Sequence, residues 1–319
     1  MSAMAERLPC APAAPAHLLE IGDLDAARLE ALLDAAAACR EQPDALGGAP
    51  VGGAVVCLFE KPSTRTRVSV QVAAHRLGLL PVVLRPDELQ LERGEPLEDT
   101  ARVLAGYACA IVARVKRHET LERLASAGAI PVVNALSDLH HPLQALADLL
   151  TLRDLFGELQ GLRLAYVGDA NNVCVSLLHA GALAGLHLRV AAPAGYRPDP
   201  TTIAEIGAVA AGHGGSVTLV EDPHEAVAGA DAVYTDVWVS MGDEDEREQR
   251  LQDLAPYAVT PALMALADPN AVFLHCLPAH RGEEVDADVL DGARSHVFAQ
   301  AANRLPTTQA VLHQLVTQG

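Results

Sequence analysis

The chain has 319 residues, room for roughly two domains at about 150 residues each. Half of them are hydrophobic, which excludes disorder as the dominant state. Lysine and arginine number 23 against 41 acidic residues, and the formal net charge of −18 argues against nucleic acid and against anionic membrane surfaces as partners.

Aromatic residues make up only 3% of the chain, so the core must be built from Ala, Val and Leu. An anion can be bound only in a local cationic pocket set against the overall field. The first fifteen residues carry Glu6 and a single base, Arg7, with no basic stretch followed by an apolar run. They read as an Ala/Pro tail and not as a secretory signal. No run reaches about 18 uninterrupted apolar residues, so no membrane-spanning helix is predicted. A helix is predicted over 24–39, where Leu24, Leu29, Leu32 and Leu33 recur among alanines.

A buried strand follows at 54–59, then a helix over 66–77 stopped by Gly78. Next come a strand at 81–84, a helix at 98–107, a strand at 109–113, a helix at 119–127 and a strand at 130–133. Pro142 occupies a first-turn position for a long helix over 143–155. The alternation then restarts, with strands at 162–167, 188–192, 217–220, 232–235 and 271–275 and a last helix over about 307–316. Two such series predict an α/β chain of two doubly wound parallel-sheet domains. The first spans 1–150 and is rejoined by the C-terminal helix 304–319; the second spans 151–303.

Ligands of open α/β sheets sit beyond the carboxyl ends of the strands. After the first strand comes Ser63-Thr64-Arg65-Thr66-Arg67 at a helix start, where backbone N–H groups and guanidinium forks suit a phosphate. Two solvated arginines beside an N-cap are the plainer alternative. Arg114 ends another strand. His141-Pro142-Leu143-Gln144 sets an imidazole and an amide at the start of the long helix, able to hydrogen-bond a carbonyl.

In the second half, Gly168–Asn172 follows a strand but lacks the GxGxxG spacing, so a nicotinamide site is disfavoured. Asp236 and Trp238 end the strand at 232–235; a lone Asp there ordinarily caps a turn. His275-Cys276-Leu277-Pro278 ends another strand. Adjacent residues on an extended chain point apart, so a Cys–His nucleophile is disfavoured. No partner lies at ligand spacing, so no metal is expected. The six cysteines form no CxxC and read as reduced, mostly buried thiols of a cytoplasmic protein.

Taken in order, the motif at 63–67, His141-Pro142-Leu143-Gln144, Asp236 with Ser240-Met241-Gly242, His275-Cys276-Leu277-Pro278 and Asn303-Arg304 resemble the ornithine carbamoyltransferase family over nearly the whole chain after about His17. The resemblance implies an active site in the cleft between the two domains, where Ser63, Thr64, Arg65, Thr66 and Arg114 bind carbamoyl phosphate. His141 and Gln144 would contact its carbamoyl end, with Cys276, Leu277 and Arg304 nearby. Gln90 would be donated by the adjacent subunit of a homotrimer. Asn172, Asp236, Ser240 and Met241 would hold L-ornithine, and no cofactor is implied. Arg114, His141, Cys276 and Asp236 are the residues it makes catalytic.

The chain departs from the family pattern at Val70, Gln71, Lys116, Leu143 and Ala302, none of which removes a contacting group. An aspartate-specific member would need cations in the second domain. The stretch 234–242 has none and carries Asp236 instead. Putrescine and N-acylated ornithine are the closer rival substrates. A dehydrogenase and a non-catalytic family member are the readings from other classes.

Overall fold

The computed structural model describes residues 16–47, 53–89, 94–240 and 244–318. The N-terminal tail, Gln90 and Met241 therefore lie outside the described residues. In the first half, β1 (Ala54–Phe59), β2 (Leu80–Leu84), β3 (Ala110–Arg114) and β4 (Val132–Leu136) form a parallel sheet in the order β2-β1-β3-β4. In the second, β5 (Arg163–Val167), β6 (His187–Ala191), β7 (Ser216–Val220), β8 (Ala232–Thr235) and β9 (Val272–His275) form a parallel sheet in the order β7-β6-β5-β8-β9. The expected pair of doubly wound parallel sheets is what the chain builds. Central strands such as β3 are buried along their whole length, as parallel strands covered on both faces must be.

The helices that frame these sheets are α1 (Ala26–Glu41), α2 (Arg65–Arg76), α3 (Leu97–Ala105), α4 (His118–Ala127), α5 (Pro142–Phe156), α6 (Asn172–Leu183), α7 (Pro200–Gly212), α8 (Pro223–Val227), α9 (Arg247–Leu254), α10 (Pro261–Met264), α11 (Ala287–Leu290) and α12 (Val297–Gln318). One apolar cluster, from Leu18 through Leu146 and Leu177 to Leu315, runs without a break across both sheets. It is made almost wholly of Leu, Val and Ala. Helices α5 and α6 pack on each other at its centre, so the two halves share a core. Two smaller clusters fill the outer faces of the sheets.

Most element bounds shift by a residue or two from expectation, and two differences have an identifiable physical cause. The strand predicted at 130–133 begins two residues later, because Pro131 has no N–H for the ladder and the register against β3 shifts between Ala113 and Arg114. The last helix starts well before the 304 or 307 expected for it. Pro306 reads as a boundary, and a helix-interior proline costs about 3 kcal/mol. Yet α12 starts at Val297 and carries Pro306 within it. Its packing against α1, α2 and α5 offsets that cost, and the Thr307 and Thr308 hydroxyls donate to the Asn303 and Arg304 carbonyls around the break. Gln300, Asn303 and Arg304 therefore stand on a helix and not on a loop.

Among the described residues all five cysteines are free, and no helix is long and apolar enough to cross a membrane.

Candidate active site

The first sheet ends in three cationic or polar groups that converge. Helix α2 begins at Arg65, and its N-cap, Thr64, makes no side-chain capping bond, so that hydroxyl is not spent on the helix. Ser63 before it is half-buried, and Thr66 is buried. Arg114, the last residue of β3, is buried with its Nε unpartnered. His141 caps α5, whose first residue is Pro142, so proline's missing N–H costs nothing there.

Arg304 reaches into this group from α12. Its Nη1 donates to Gln144 Oε1 at 2.6 Å and its Nη2 to Thr66 Oγ1 at 3.0 Å. Arg65 donates to the Leu277 carbonyl across the cleft. These guanidinium hydrogen bonds all go to neutral oxygens.

The electrostatics follow from that placement. Burial lowers Arg114 to about 10, and Arg65 beside it adds to the effect. Burial likewise lowers Arg304 to about 10, with Arg114 and Arg65 as opposing cations. His141 is held well below its ordinary value by burial and then by Arg304, Arg114 and Arg65. It is a neutral imidazole with a buried, unpartnered Nδ1. Three guanidiniums around one neutral histidine make a strongly positive pocket inside an acidic protein, a preformed site for an anion.

The facing wall comes from the second sheet. Asp236, directly after β8, is buried. Its Oδ1 accepts from the Cys276 thiol at 2.9 Å and its Oδ2 from Asn171 Nδ2 at 2.9 Å. Burial, and then Asp236, push the Cys276 thiol well above its ordinary value.

The turn that carries Cys276 is fixed from behind. Leu277 adopts φ 58°, a left-handed conformation costly for a side chain with a Cβ. Its N–H donates to His275 Nδ1 at 2.9 Å, which makes Nε2 the protonated nitrogen. That Nε2 faces Glu284 Oε1 at 3.2 Å, with both residues fully buried. Although burial raises Glu284, the hydrogen bonds from His275 and the His280 N–H hold it below the usual carboxylate range.

The strand-end loop at Gly168 is also set by packing. Gly168 has φ 117°, and a Cβ there would lie 3.1 Å from Trp238 Nε1 and 3.3 Å from Thr235 Oγ1. The glycine serves the seating of Trp238.

The donor atoms of Asp236, His275 and Cys276 lie within 4.8 Å of one another, as do those of His280, Glu283 and Glu284. These are the described groups whose spacing could admit a metal ion. In the first, both His275 nitrogens and the thiol proton are already engaged.

Residues 16–154 match the carbamoyl-P binding domain of aspartate/ornithine carbamoyltransferase, and residues 160–315 match its Asp/Orn binding domain. The chain belongs to the aspartate/ornithine carbamoyltransferase family. It is 52% identical over 302 residues to the ornithine carbamoyltransferase of Acidothermus cellulolyticus, covering 94% of this chain and 96% of that one. Against the ornithine carbamoyltransferase of Methanothermobacter thermautotrophicus the identity is 50% over 265 residues, 83% of this chain and 88% of that one. The solved structure of the Pyrococcus furiosus ornithine carbamoyltransferase superposes with a TM-score of 0.89 at 45% identity, over 94% of this chain and 96% of that one. The anabolic enzyme of Campylobacter jejuni gives 0.89 at 35% identity, over 95% and 99%.

In this carbamoyltransferase-family chain the fold draws Thr66, Arg65, Arg114, His141, Gln144, Arg304, Leu277, Cys276 and Asp236 to one cleft. Ser240, half-buried, ends the described part of the second-sheet loop. Asn172 is turned elsewhere: its Nδ2 donates to the Ser137 carbonyl at 2.6 Å, and its neighbour Asn171 takes the place beside Asp236. Asn171, Glu284, Asp148 and Gln300 do not stand out in the sequence as site residues. Of these, Asp148 leaves a signal: it is the charged residue one turn after Gln144 in an otherwise apolar helical run.

Proposed function

We propose that the chain transfers the carbamoyl group of carbamoyl phosphate to the δ-amine of L-ornithine, giving L-citrulline and phosphate. The observation that carries this reading is the convergence of Arg65, Arg114 and Arg304 on neutral His141, opposite a carboxylate at Asp236. The family match supports it, since its two domains are described as binding carbamoyl-P and Asp/Orn. The four relatives and solved structures named above all carry the ornithine name, and no observation favours putrescine or an acylated ornithine.

In this reading Ser63, Thr64, Arg65, Thr66 and Arg114 hold the phosphoryl group; Arg304, expected near the carbamoyl end, bonds Thr66 as well as Gln144 and so also serves the phosphoryl side. His141 and Gln144 meet the carbamoyl end, together with Cys276 and Leu277. The ornithine amine attacks the carbonyl carbon, a C–N bond forms, and the C–O bond to phosphate breaks. His141 as a neutral donor and Arg114 as a cation stabilise the tetrahedral oxyanion, and the arginines neutralise the departing phosphate. An alkyl ammonium in water titrates at about 10.4, so roughly 0.04% of the amine is neutral at pH 7; one proton leaves to solvent before attack and a second leaves the nitrogen once the C–N bond has formed. Cys276, held as a thiol, is a donor there and not a base. This second proton goes to the departing phosphate or to Asp236. Asp236, Ser240 and Met241 orient ornithine, whose α-ammonium is a natural partner for the Asp236 carboxylate; Asn172 joins them once its Nδ2 leaves the Ser137 carbonyl.

The reading extends to the assembly: a homotrimer in which Gln90 of one copy completes the carbamoyl-phosphate set of its neighbour. It extends also to domain roles, with 1–150 plus the C-terminal helix for carbamoyl phosphate and 151–303 for ornithine. A cytoplasmic location goes with it, supported by thiols that are free as in a reducing compartment. The test is citrulline formation from carbamoyl phosphate with ornithine, set against acetylornithine, putrescine and aspartate as acceptors. Turnover with ornithine exceeding the others is expected; a preference for any other acceptor overturns the assignment.

A further inference from the structure

Behind the converging arginines lies a carboxylate that the reaction above does not use. Asp148, one helical turn after Gln144 on α5, is fully buried. Its Oδ1 accepts from Gln144 Nε2 at 2.7 Å and from Gln300 Nε2 at 2.6 Å, while its Oδ2 is buried and unpartnered. A glutamine amide has two ends of nearly equal shape, one a donor and the other an acceptor, so shape alone does not decide which end a site presents. Oδ1 decides it here. Whether the carboxyl is ionised or protonated at Oδ2, Oδ1 only accepts, and both glutamines must turn their NH2 groups toward it. Their acceptor ends then point away. That of Gln300 receives the His275 backbone N–H at 2.9 Å, and that of Gln144 faces Arg304 Nη1 at 2.6 Å.

We propose that Asp148 is a positioning residue that fixes the polarity of the Gln144 amide, so that the site selects a phosphoryl ligand bearing an amide N–H over one of the same shape bearing a methyl group. This rests on the reading of Thr66 and Arg304 as phosphoryl contacts. A phosphoryl group that draws Arg304 to itself frees the Gln144 carbonyl oxygen for a neighbouring N–H. Asp148 then keeps the amide from turning its own N–H outward. A carbamoyl group meets that oxygen with a donor. An acetyl group meets it with a methyl and leaves a buried acceptor unpaired, the arrangement by which polar sites reject close analogues.

The test uses phosphonoacetamide and acetonylphosphonate, which differ only in NH2 against CH3, titrated calorimetrically into the full-length protein. The wild type should prefer the amide by at least ~10-fold. Asp148→Leu, similar in size but without an acceptor, should bring the two affinities to within about threefold. Asp148→Asn keeps an acceptor oxygen and should restore a preference of ~10-fold. If the Leu variant does not fold, Asp148→Ala is read in its place, because water filling the smaller side chain's space donates as readily as it accepts. An undiminished preference in the Leu or Ala variant, or equal wild-type affinities for the two phosphonates, overturns the proposal. A wild type that binds neither phosphonate overturns the carbamoyl-phosphate reading itself.

Discussion

The Cys276 thiol donates its proton to Asp236 Oδ1 across 2.9 Å, binding the end of one second-sheet strand to the end of its neighbour. Burial and the adjacent carboxylate raise the thiol, so the thiolate fraction at neutral pH falls below that of a free cysteine. Iodoacetamide labelling of the Cys276 peptide, followed by mass spectrometry, should run at least ~10-fold slower than that of a free thiol at pH 7.5 and should climb only at higher pH. Asp236→Asn removes the nearby charge and should speed it. Labelling at the free-thiol rate in the wild type would contradict the assigned state.

Asp236→Asn should lose ornithine turnover while keeping carbamoyl-phosphate affinity near wild type. Replacing a buried, paired charge by its neutral isostere costs on the order of 2–4 kcal/mol, roughly 30- to 1000-fold in kcat/KM. Putrescine, which lacks the α-ammonium and α-carboxylate, should lose less. Steady-state profiles with both amines plus a carbamoyl-phosphate titration check this. Equal loss of both ligands would make Asp236 a support of the fold.

Arg65→Gln should weaken carbamoyl phosphate or phosphonoacetamide by roughly 10- to 150-fold, the value of a charged hydrogen bond of about 1.5–3 kcal/mol, with the melting temperature little changed. Unchanged affinity in a folded variant removes Arg65 from the site. The same variant tests the trimer. Mixed after co-refolding with an inactive Gln90→Ala chain, it should recover part of the lost activity, because some sites then draw Arg65 and Gln90 from intact copies. No recovery in mixed oligomers contradicts a shared site.

Asp148 gives the fold a pH dependence of definite sign. Its carboxyl is raised from 3.8 to about 7, chiefly by burial. Between those values the native state holds a proton that the unfolded chain has released, so this group's contribution to stability falls as pH rises through the window. The full swing is on the order of 4 kcal/mol. Asp148→Asn cannot ionise, so its melting temperature relative to wild type should rise between pH 4.5 and 8. A pH-independent difference would show that the carboxyl titrates normally.

The amino-acid sequence by itself determined the two parallel sheets. Runs such as Val55, Val56 and Cys57 in β1 or Ala232, Val233 and Tyr234 in β8 are apolar on both faces, and only a covered parallel strand buries both. It also determined the motifs at 63–67, 141–144 and 275–278, because each lies at a strand end within a few residues of its own helix or turn. What it did not contain is which distant groups meet. Asp148 and Gln300 stand 152 positions apart and Cys276 and Asp236 forty apart, and their hydrogen bonds exist only because α12 packs back on α5 and β8 lies beside β9. The start of helix α12 is misjudged locally, since Pro306 disfavours a helix by propensity and tertiary packing overrides it. Likewise the choice of Asn171 over Asn172 beside Asp236 turns on which of two neighbouring side chains points across the sheet end, a direction that two adjacent identical residues cannot encode. Local hydrogen bonding and apolar period are written in contiguous residues. Burial, and the shifts in proton affinity that it imposes on His141, Arg304 and Asp148, come into being only when the chain has closed around them.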